Sequence, residues 1–452
     1  MQIMSTDILI KKGLDIKLKG VPQNKVSSVT RSKIFAINPP HFHGITPKMI
    51  LKVGDKVNVG DIVFYSKQQE NVKFTSPVSG KIKEIVRGPK RVILSIQILA
   101  DKSDTFKDFG IETPSKLAAP QIKEALLESG CWTFIKQRPY DVIADPSDTP
   151  KAIFISAVAT APLAASYDIT LNNREKEFQA GIDVLAKLTD GEVHLSVGKE
   201  SPSFLGSIKG VSLHKVSGKH PAGNVGVQIS KIDPINSGDR IWVIQPQDVA
   251  IIGELFLTGK YNPTKIVALA GSQVKNPQYF EIIQGTQISD IVKANLEEGD
   301  NRIISGNPLS GTIVGVKDPI GFYDDLVVVL PEGNHHRFLG WMPFIGNNIY
   351  SMSRTSLSWL NSNKEFTLDT NLNGEDRAFV VTGEMEKVMP MDIYPMQLLK
   401  ATIIEDIERM ENLGIYEVAP EDFGLIDFIS SSKIEAQEII RKGLDLMIKE
   451  VG

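Results

Sequence analysis

A single cysteine, Cys131, stands among 452 residues. One thiol excludes an intrachain disulfide, a cysteine-only zinc site and any iron–sulfur cluster held by several cysteines of this chain. Its surroundings, SGCWTF, offer no activating base, so a buried structural thiol is expected. A charge of one sign is also missing: 50 Lys and Arg against 54 Asp and Glu leave a formal charge of −4. Without a long basic block there is no electrostatic footprint for nucleic acid, which is not expected as a partner. Long hydrophobic runs are absent too. The most extended apolar stretch, Ala152 to Ala165 (AIFISAVATAPLAA), is interrupted by Ser, Thr and Pro162 and falls short of the ~20 residues of a membrane helix. At the N-terminus only Ile8 to Ile10 is continuously apolar before Lys11 and Lys12, so no secretory leader is read there and a cytoplasmic location is expected.

What is present is a modular chain. At ~100–200 residues per domain the length implies three or four units, and 42% hydrophobic with 23% charged residues is enough for several cores. From Lys48 to Ala100 short strand-like runs alternate with Gly54-Asp55, Gly60-Asp61, Pro77 and Gly80. The phrases KVGDKVNVGDIVFYS and FTSPVSGKIKEI resemble the lipoyl/biotinyl carrier module, a flattened barrel organised by two Gly-Asp turns and a Ser-Pro-x-x-Gly turn. A carrier presents its modified lysine at the hairpin tip, which here reads Gln68, Gln69, Glu70, Asn71. Lys67 and Lys73 merely flank it, and covalent carriage is not expected.

From about Ser115 helical and strand patterns alternate: helix Ala119 to Glu128, strand Ala152 to Ala157, helix Lys176 to Leu188, strand Val193 to Val197. This is the pattern of an α/β unit with a partly parallel sheet. Its phrases RPYDVIADP, FISAVATAPLAASYD, FQAGIDVLAKLTDGEVHLSVG and HPAGNVGVQISKIDP resemble the family of A subunits of the Na⁺-translocating NADH:quinone reductase. Ala159 departs from that family, where an acidic residue is expected. The stretch Lys265 to Gly306 resembles the SLBB module, a small β-grasp fold. Asp318 to Ser358, apolar and glycine-punctuated, fits no unit. The C-terminus reads as helical, with Pro395 at a favourable first position, Met396, Leu399, Ile403, Ile407 and Met410 at helical spacing, and Ser432 with Glu435 as a capping box opening a last helix to about Lys449.

The expected fold is therefore multi-domain, mixing α/β and all-β. A lipoyl/biotinyl-like barrel-sandwich spans 1–105, a Rossmann-like α/β domain 106–257 and an SLBB β-grasp module with return strands 258–330. An unassigned β-rich segment follows at 331–390, then a helical domain at 391–452, which resembles a ferredoxin-type domain without cysteine ligands. The same order resembles the C subunit of the Rnf complex, and the middle units resemble the flavin-binding subunit of complex I. Those relatives bind flavin, NADH or iron–sulfur clusters, but each site has to be tested residue by residue.

Where the relatives carry glycines that let the backbone approach a flavin, this chain reads GCWTFIKQRPYD, with Trp132, Thr133 and Phe134 filling the space. No GxGxxG follows a strand, and GKHPAGNVG at 218–226 lacks the spacing. Laid on EVAPEDFGLIDFISSSKIEAQEIIR, the relatives' cluster ligands fall on Pro420, Phe423, Ile426 and Ser430, none a thiolate. The pairs His41/His43, alternating as on one strand face, and His335-His336 lack acidic or thiolate partners at ligand spacing, so no metal site is expected. Asp324-Asp325 and Glu405, Asp406 and Glu408 read as solvated faces.

The resemblance thus implies a cytoplasmic subunit, peripherally attached to the inner membrane through its complex, of an NADH:ubiquinone reductase that transports Na⁺. No cofactor of its own is expected, the flavins and iron–sulfur belonging to partner subunits, and its partners would be the membrane subunits and quinone. A quinone needs an apolar slot with a few donors at the ring carbonyls, and Trp132, Phe134, Arg138 and Tyr140 form such a set in sequence. The alternative is a purely structural docking subunit of the same complex.

Overall fold

The strand Ala152–Ala157 is buried at all six positions. A run with no charged residue and apolar groups on both sides suits only the middle of a sheet covered on both faces. It lies there, parallel to Val193–Gly198 on one side and Ile241–Val243 on the other, in a seven-stranded sheet with Thr6–Ile10 at one edge and Val142–Ile143 at the other. The computed structural model describes residues 6–110, 113–199, 204–335, 338–339, 350, 360 and 363–452.

Helices Glu175–Leu185 and Pro246–Thr258 cover one face and cross at two glycines. A Cβ on Gly253 would fall 1.7 Å from the carbonyl oxygen of Glu177, and one on Gly181 would fall 2.1 Å from that of Val249. Backbone contact this close requires residues without a side chain. The expected helix Ala119 to Glu128 is observed at Ala119–Ser129, and the expected helix Lys176 to Leu188 at Glu175–Leu185.

The barrel-sandwich is built from a four-stranded sheet (Ile34–Ile37, Ile93–Ala100, Gly80–Arg87, Lys56–Val57) and a three-stranded one (Pro47–Met49, Ile62–Ser66, Lys73–Thr75). Its two Gly-Asp turns are made alike. Gly54 and Gly60 take φ of 98° and 88°, and the following carboxylates accept backbone N–H bonds, Asp55 from Lys52 at 2.8 Å and Asp61 from Asn58 at 2.7 Å. Glycine supplies the left-handed backbone and aspartate closes the turn.

The N-terminal arm does not join this unit. Thr6–Ile10 runs parallel to Ser212–Gly218 in the α/β sheet, and Gln23–Ser28 runs parallel to Gln278–Ile283. That second pairing makes the arm the last strand of a six-stranded sheet with Thr264–Ala270, Leu326–Pro331, Asn301–Ser305 and Thr312–Ile313. Part of the unassigned stretch Asp318 to Ser358 therefore supplies Leu326–Pro331, between Thr264–Ala270 and Asn301–Ser305. His336 and most of 340–358 lie outside the described residues.

The helical end differs from its expected form. The single helix read from Pro395 to Met410 breaks into Pro395–Ile403 and Ile407–Asn412. Glu405 takes φ of 56° and Asp406 caps the second helix, accepting from the N–H of Arg409 at 3.1 Å. Ser432 and Glu435 form no capping box: Ser432 Oγ donates to the carbonyl of Ala378, and the helix Ala436–Glu450 is capped by Asp427, whose carboxylate accepts from the N–H groups of Ala436 and Gln437. Asp427 does the same job from nine residues upstream, a placement that local spacing does not reveal.

Two large cores result. One joins the barrel to one face of the α/β sheet through Phe42, Phe74, Trp132, Phe134 and Trp242. The other joins the opposite face to the helical end through Tyr140, Phe154, Tyr416 and Phe423.

Candidate functional site

A cavity opens where the barrel, the start of the α/β unit and the six-stranded sheet meet. It encloses about 470 Å³ of empty space, part of it open to solvent. Its walls come from distant segments: Ala36 to Asn38 with His41 and Phe42, Phe74 and Thr75 with Pro77, Gly130 and Thr133, Tyr261 with Gln284 and Gly285, and Ile320 with Phe322. Glycine brings them together. The backbone N–H of Ala36 donates to the carbonyl of Gly285 at 3.0 Å, and a Cβ on Gly285, whose φ is 81°, would lie 2.6 Å from Ala36 O. Gly130 ends the helix Ala119–Ser129 in the left-handed region and packs against Thr75, where a Cβ would come within 2.5 Å.

The apolar side is aromatic. Phe42 makes edge contacts with Phe74 at 4.6 Å and Phe322 at 4.7 Å between ring centroids, and Phe322 stacks on Phe134 at 5.2 Å. The polar side is sparse. Tyr261 donates its hydroxyl proton to Gln284 Oε1 at 2.7 Å, which leaves Gln284 Nε2 buried without a partner, as is Asn38 Oδ1. Unpaired buried amide groups are expensive unless something completes them. The half-buried His41 has its pKa lowered by desolvation, against the pull of Asp324 and Asp318.

Behind Phe322 lies a buried ion pair, Lys265 Nζ to Asp248 Oδ1 at 2.6 Å, at 4% and 0% side-chain exposure. The ammonium also donates to the carbonyl of Phe322 at 3.1 Å and sits 5.5 Å from the ring of Phe134. Asp324 and Asp325, expected on a solvated face, stand close by. Asp324 accepts from Ser305 Oγ at 2.6 Å and its carboxyl is raised by burial. Asp325 is pushed up to about 6, again by burial, with Lys265 opposing. Both residues are half-buried, because Leu326–Pro331 starts beside them as a central strand.

The four residues singled out for quinone do not close on one slot. Trp132 is wholly buried, donates from Nε1 to the carbonyl of Ala144 at 2.8 Å and packs edge-on to Trp242. Phe134 backs the cavity through Phe322, and Thr133 between them lines it. Arg138 and Tyr140 face the helical end instead. The Arg138 guanidinium is committed to Asp422 at 2.9 Å and to Glu421; desolvation pulls its pKa down, but the two carboxylates outweigh it and hold it above its ordinary value. Tyr140 lies in the helical-side core against Tyr416, and its carbonyl accepts from Arg441. Sequence reasoning missed Asn38, Phe42, Gln284 and Phe322, although Phe42 lies between the singled-out His41 and His43 and Phe322 lies just ahead of Asp324 and Asp325.

Of the four positions laid against cluster ligands, Pro420 is half-buried. Phe423 and Ile426 are core residues of the helical end and Ser430 is 3% exposed. His41 belongs to a short 3-10 turn rather than a strand, and His43 pairs with Asp445 at 2.7 Å. Among the described residues no three His, Cys, Asp or Glu side chains gather as metal ligands.

Comparison with known proteins places this architecture. In a Marinomonas species, the NqrA component of the Na(+)-translocating NADH-quinone reductase is 37% identical over 444 residues, 98% of this chain and 99% of that protein. This chain belongs to the NqrA family. The Neisseria meningitidis and Alcanivorax borkumensis members are each 36% identical, over 98% and 97% of this chain. Three NqrA domain models match: the N-terminal barrel-sandwich hybrid domain at 8–101, the second alpha/beta domain at 117–261 and the C-terminal SLBB domain at 266–315. Crystal structures of an NAD+-reducing [NiFe]-hydrogenase, air-oxidised and H2-reduced, align with TM-scores of 0.39 and 0.41 at 12% and 13% identity. This chain spans 62% of the length of those proteins, a likeness too slight to support a functional step. Among the described residues no helix is long and apolar enough to cross a membrane.

Proposed function

We propose that this chain is the quinone-contacting component of a Na⁺-translocating NADH:quinone oxidoreductase. In this reading it works on the cytoplasmic side, is attached to the membrane through partner subunits and carries no flavin or iron–sulfur cluster of its own. The observation that carries the reading is the cavity bounded by Phe42, Phe74 and Phe322, with the Gln284 amide nitrogen unpaired at its border. A quinone ring is flat, apolar on its faces and polar at two carbonyl oxygens. Aromatic walls suit the faces, and an amide N–H suits one oxygen. Phe134 contributes as the backing of Phe322 and Trp132 as the rigid support of Thr133, while Arg138 and Tyr140 hold the neighbouring domain.

Titration of the isolated chain with a short-chain quinone tests this. One apolar pocket with one or two hydrogen bonds gives about −5 to −8 kcal/mol, hence high-micromolar to micromolar dissociation constants. His41→Trp, which adds bulk at a half-buried wall position, is expected to abolish saturable binding while Gln284→Leu weakens it. Binding unchanged by both variants, or none by the unaltered chain, overturns the assignment of this cavity. Stoichiometric visible absorbance from flavin or iron–sulfur in the purified chain overturns the cofactor reading.

A further inference from the structure

The barrel's longest hairpin runs past the strands that flank it. Lys56–Val57 pairs with Gly80–Arg87 only at Gly80 and Lys81, and Ile34–Ile37 pairs with Ile93–Ala100 only as far as Ile96. Beyond these points Val86↔Ser95 and Arg87↔Ile93 form a two-stranded ribbon. Its tip is a tight turn in which Gly88 N–H donates to Val92 O at 2.8 Å and Arg87 Nη1 donates to Arg91 O at 3.1 Å.

Two features of this tip are unusual. Lys90 and Arg91 take φ of 53° and 62° in succession, a conformation for which Asn-Gly is the unstrained choice. Cationic side chains stand where they strain the backbone, and strain held at an exposed place points to use. In addition Lys83, Arg87, Lys90 and Arg91 are all exposed, Glu84 is the one acid between Lys81 and Ala100 in the sequence, and none of the four forms an ion pair among the described residues. Beside them Val92 and Leu94 are 52% and 40% exposed. Nucleic acid would use the cations but has no use for two exposed aliphatic side chains. A bilayer with anionic headgroups uses both.

We propose that the ribbon tip, residues 87–94, rests on an anionic membrane surface, with its cations among the phosphates and Val92 and Leu94 at the headgroup–acyl boundary. The relatives' name places their work at a membrane, since Na⁺ is translocated, and this contact supplies a direct touch from a chain whose described helices do not cross one. The inference stands on charge and geometry and does not depend on the quinone cavity.

Sedimentation of the full chain with vesicles rich in phosphatidylglycerol, compared with phosphatidylcholine alone, tests it. Retention is expected on the anionic vesicles and is weakened by salt. The double variant Lys90→Asn, Arg91→Gly relieves the strained turn, so its thermal midpoint is expected to hold or rise. Its vesicle affinity is expected to fall roughly twenty- to thirtyfold, at about fivefold per cation. Val92→Ser with Leu94→Ser is expected to remove the part of the binding that survives high salt. The proposal is overturned if the unaltered chain does not sediment with anionic vesicles, or if the double variant binds them equally well. It is also overturned if the two serine substitutions change nothing while soluble heparin binds as tightly as vesicles, which would mark a site for polyanions.

Discussion

Arg138 Nη1 lies 2.9 Å from Asp422 Oδ2, with side-chain exposures of 2% and 0%. The pair joins the strand Lys136–Arg138 to the helical end, more than 280 residues along the chain. Asp422 also accepts from the N–H of Ala419 at 2.9 Å, and the contact is tight enough that a Cβ on Gly226 would fall 2.4 Å from Arg138 Nη1. Arg138→Ala would leave a buried carboxylate without its cation, a loss of about 3–5 kcal/mol. We expect a lower midpoint in denaturant unfolding, partly restored by adding Asp422→Ala. Had Arg138 served a quinone carbonyl, the loss would instead appear in ligand affinity with the fold intact, so measuring both quantities on one variant separates the roles.

Cys131 is fully buried, and burial pushes its thiol up to about 12. At neutral pH it stays protonated and shielded, and a thiol-specific reagent is expected to label it at the rate of unfolding. The sign for stability follows. Above the ordinary cysteine range the unfolded chain releases a proton that the native state retains, so stability falls as pH rises from about 9 toward 12. Tyr167, Tyr261 and Tyr323, raised by burial in the same way, add to this slope. Rapid labelling under native conditions would show that the thiol is not enclosed.

The parts of the fold legible in the sequence are those whose cause is local. Strand Ala152–Ala157 is readable because a central parallel strand must be apolar on both faces, and the barrel because Gly-Asp turns are closed by their own side chains. The cavity has no such signature. Phe42 and Phe322 meet at 4.7 Å, but nothing near either residue encodes the other. The aromatic, cationic cluster from Trp132 to Tyr140 looks like one site because it is continuous in sequence; the sheet edge running through it sends Trp132 and Phe134 to the barrel side and Tyr140 to the helical side. Adjacency in the chain likewise assigns the N-terminal arm to the barrel, whereas its strands complete two other sheets.

The carrier-like hairpin is docked rather than presented. Gln69 Nε2 at its apex donates to Asp145 Oδ2 of the α/β unit at 2.6 Å, and Lys73 pairs with Glu128 of the adjoining helix. Lys67, though exposed, lies off the apex. A ligase that attaches lipoyl or biotinyl groups needs the lysine free at the tip. Intact mass of the chain produced alongside such ligases is therefore expected to equal that of the unmodified polypeptide, and an added lipoyl or biotinyl mass would contradict this docking.

His194 and His214 stand side by side on neighbouring parallel strands, Nδ1 to Nε2 at 3.0 Å, with the ring of His194 stacked on Phe154 at 4.4 Å. At that distance one nitrogen donates and the other accepts, so a first proton makes one desolvated cation beside a neutral ring, and a second leaves no acceptor and sets two cations together. Desolvation, reinforced by His214, lowers His194 to about 4, and desolvation lowers His214 as well, with Glu192 opposing in both. The unfolded rings titrate near 6.5. Between about 6.5 and 4 the unfolded chain therefore takes up protons that the native state refuses, and stability falls as pH falls through that window. His41 and His220, also lowered by desolvation, act in the same direction. Asp248, Asp324 and Asp325, raised by burial, bind protons more readily in the native state and act against it. His214→Gln keeps a hydrogen-bonding partner for His194 but cannot itself take a proton. We expect the thermal midpoint of that variant to decline less steeply from about pH 6.5 to 4.5 than that of the unaltered chain, with the two curves converging near neutrality. Parallel curves would mean that the acid response arises in the other buried groups and that this pair contributes nothing to it.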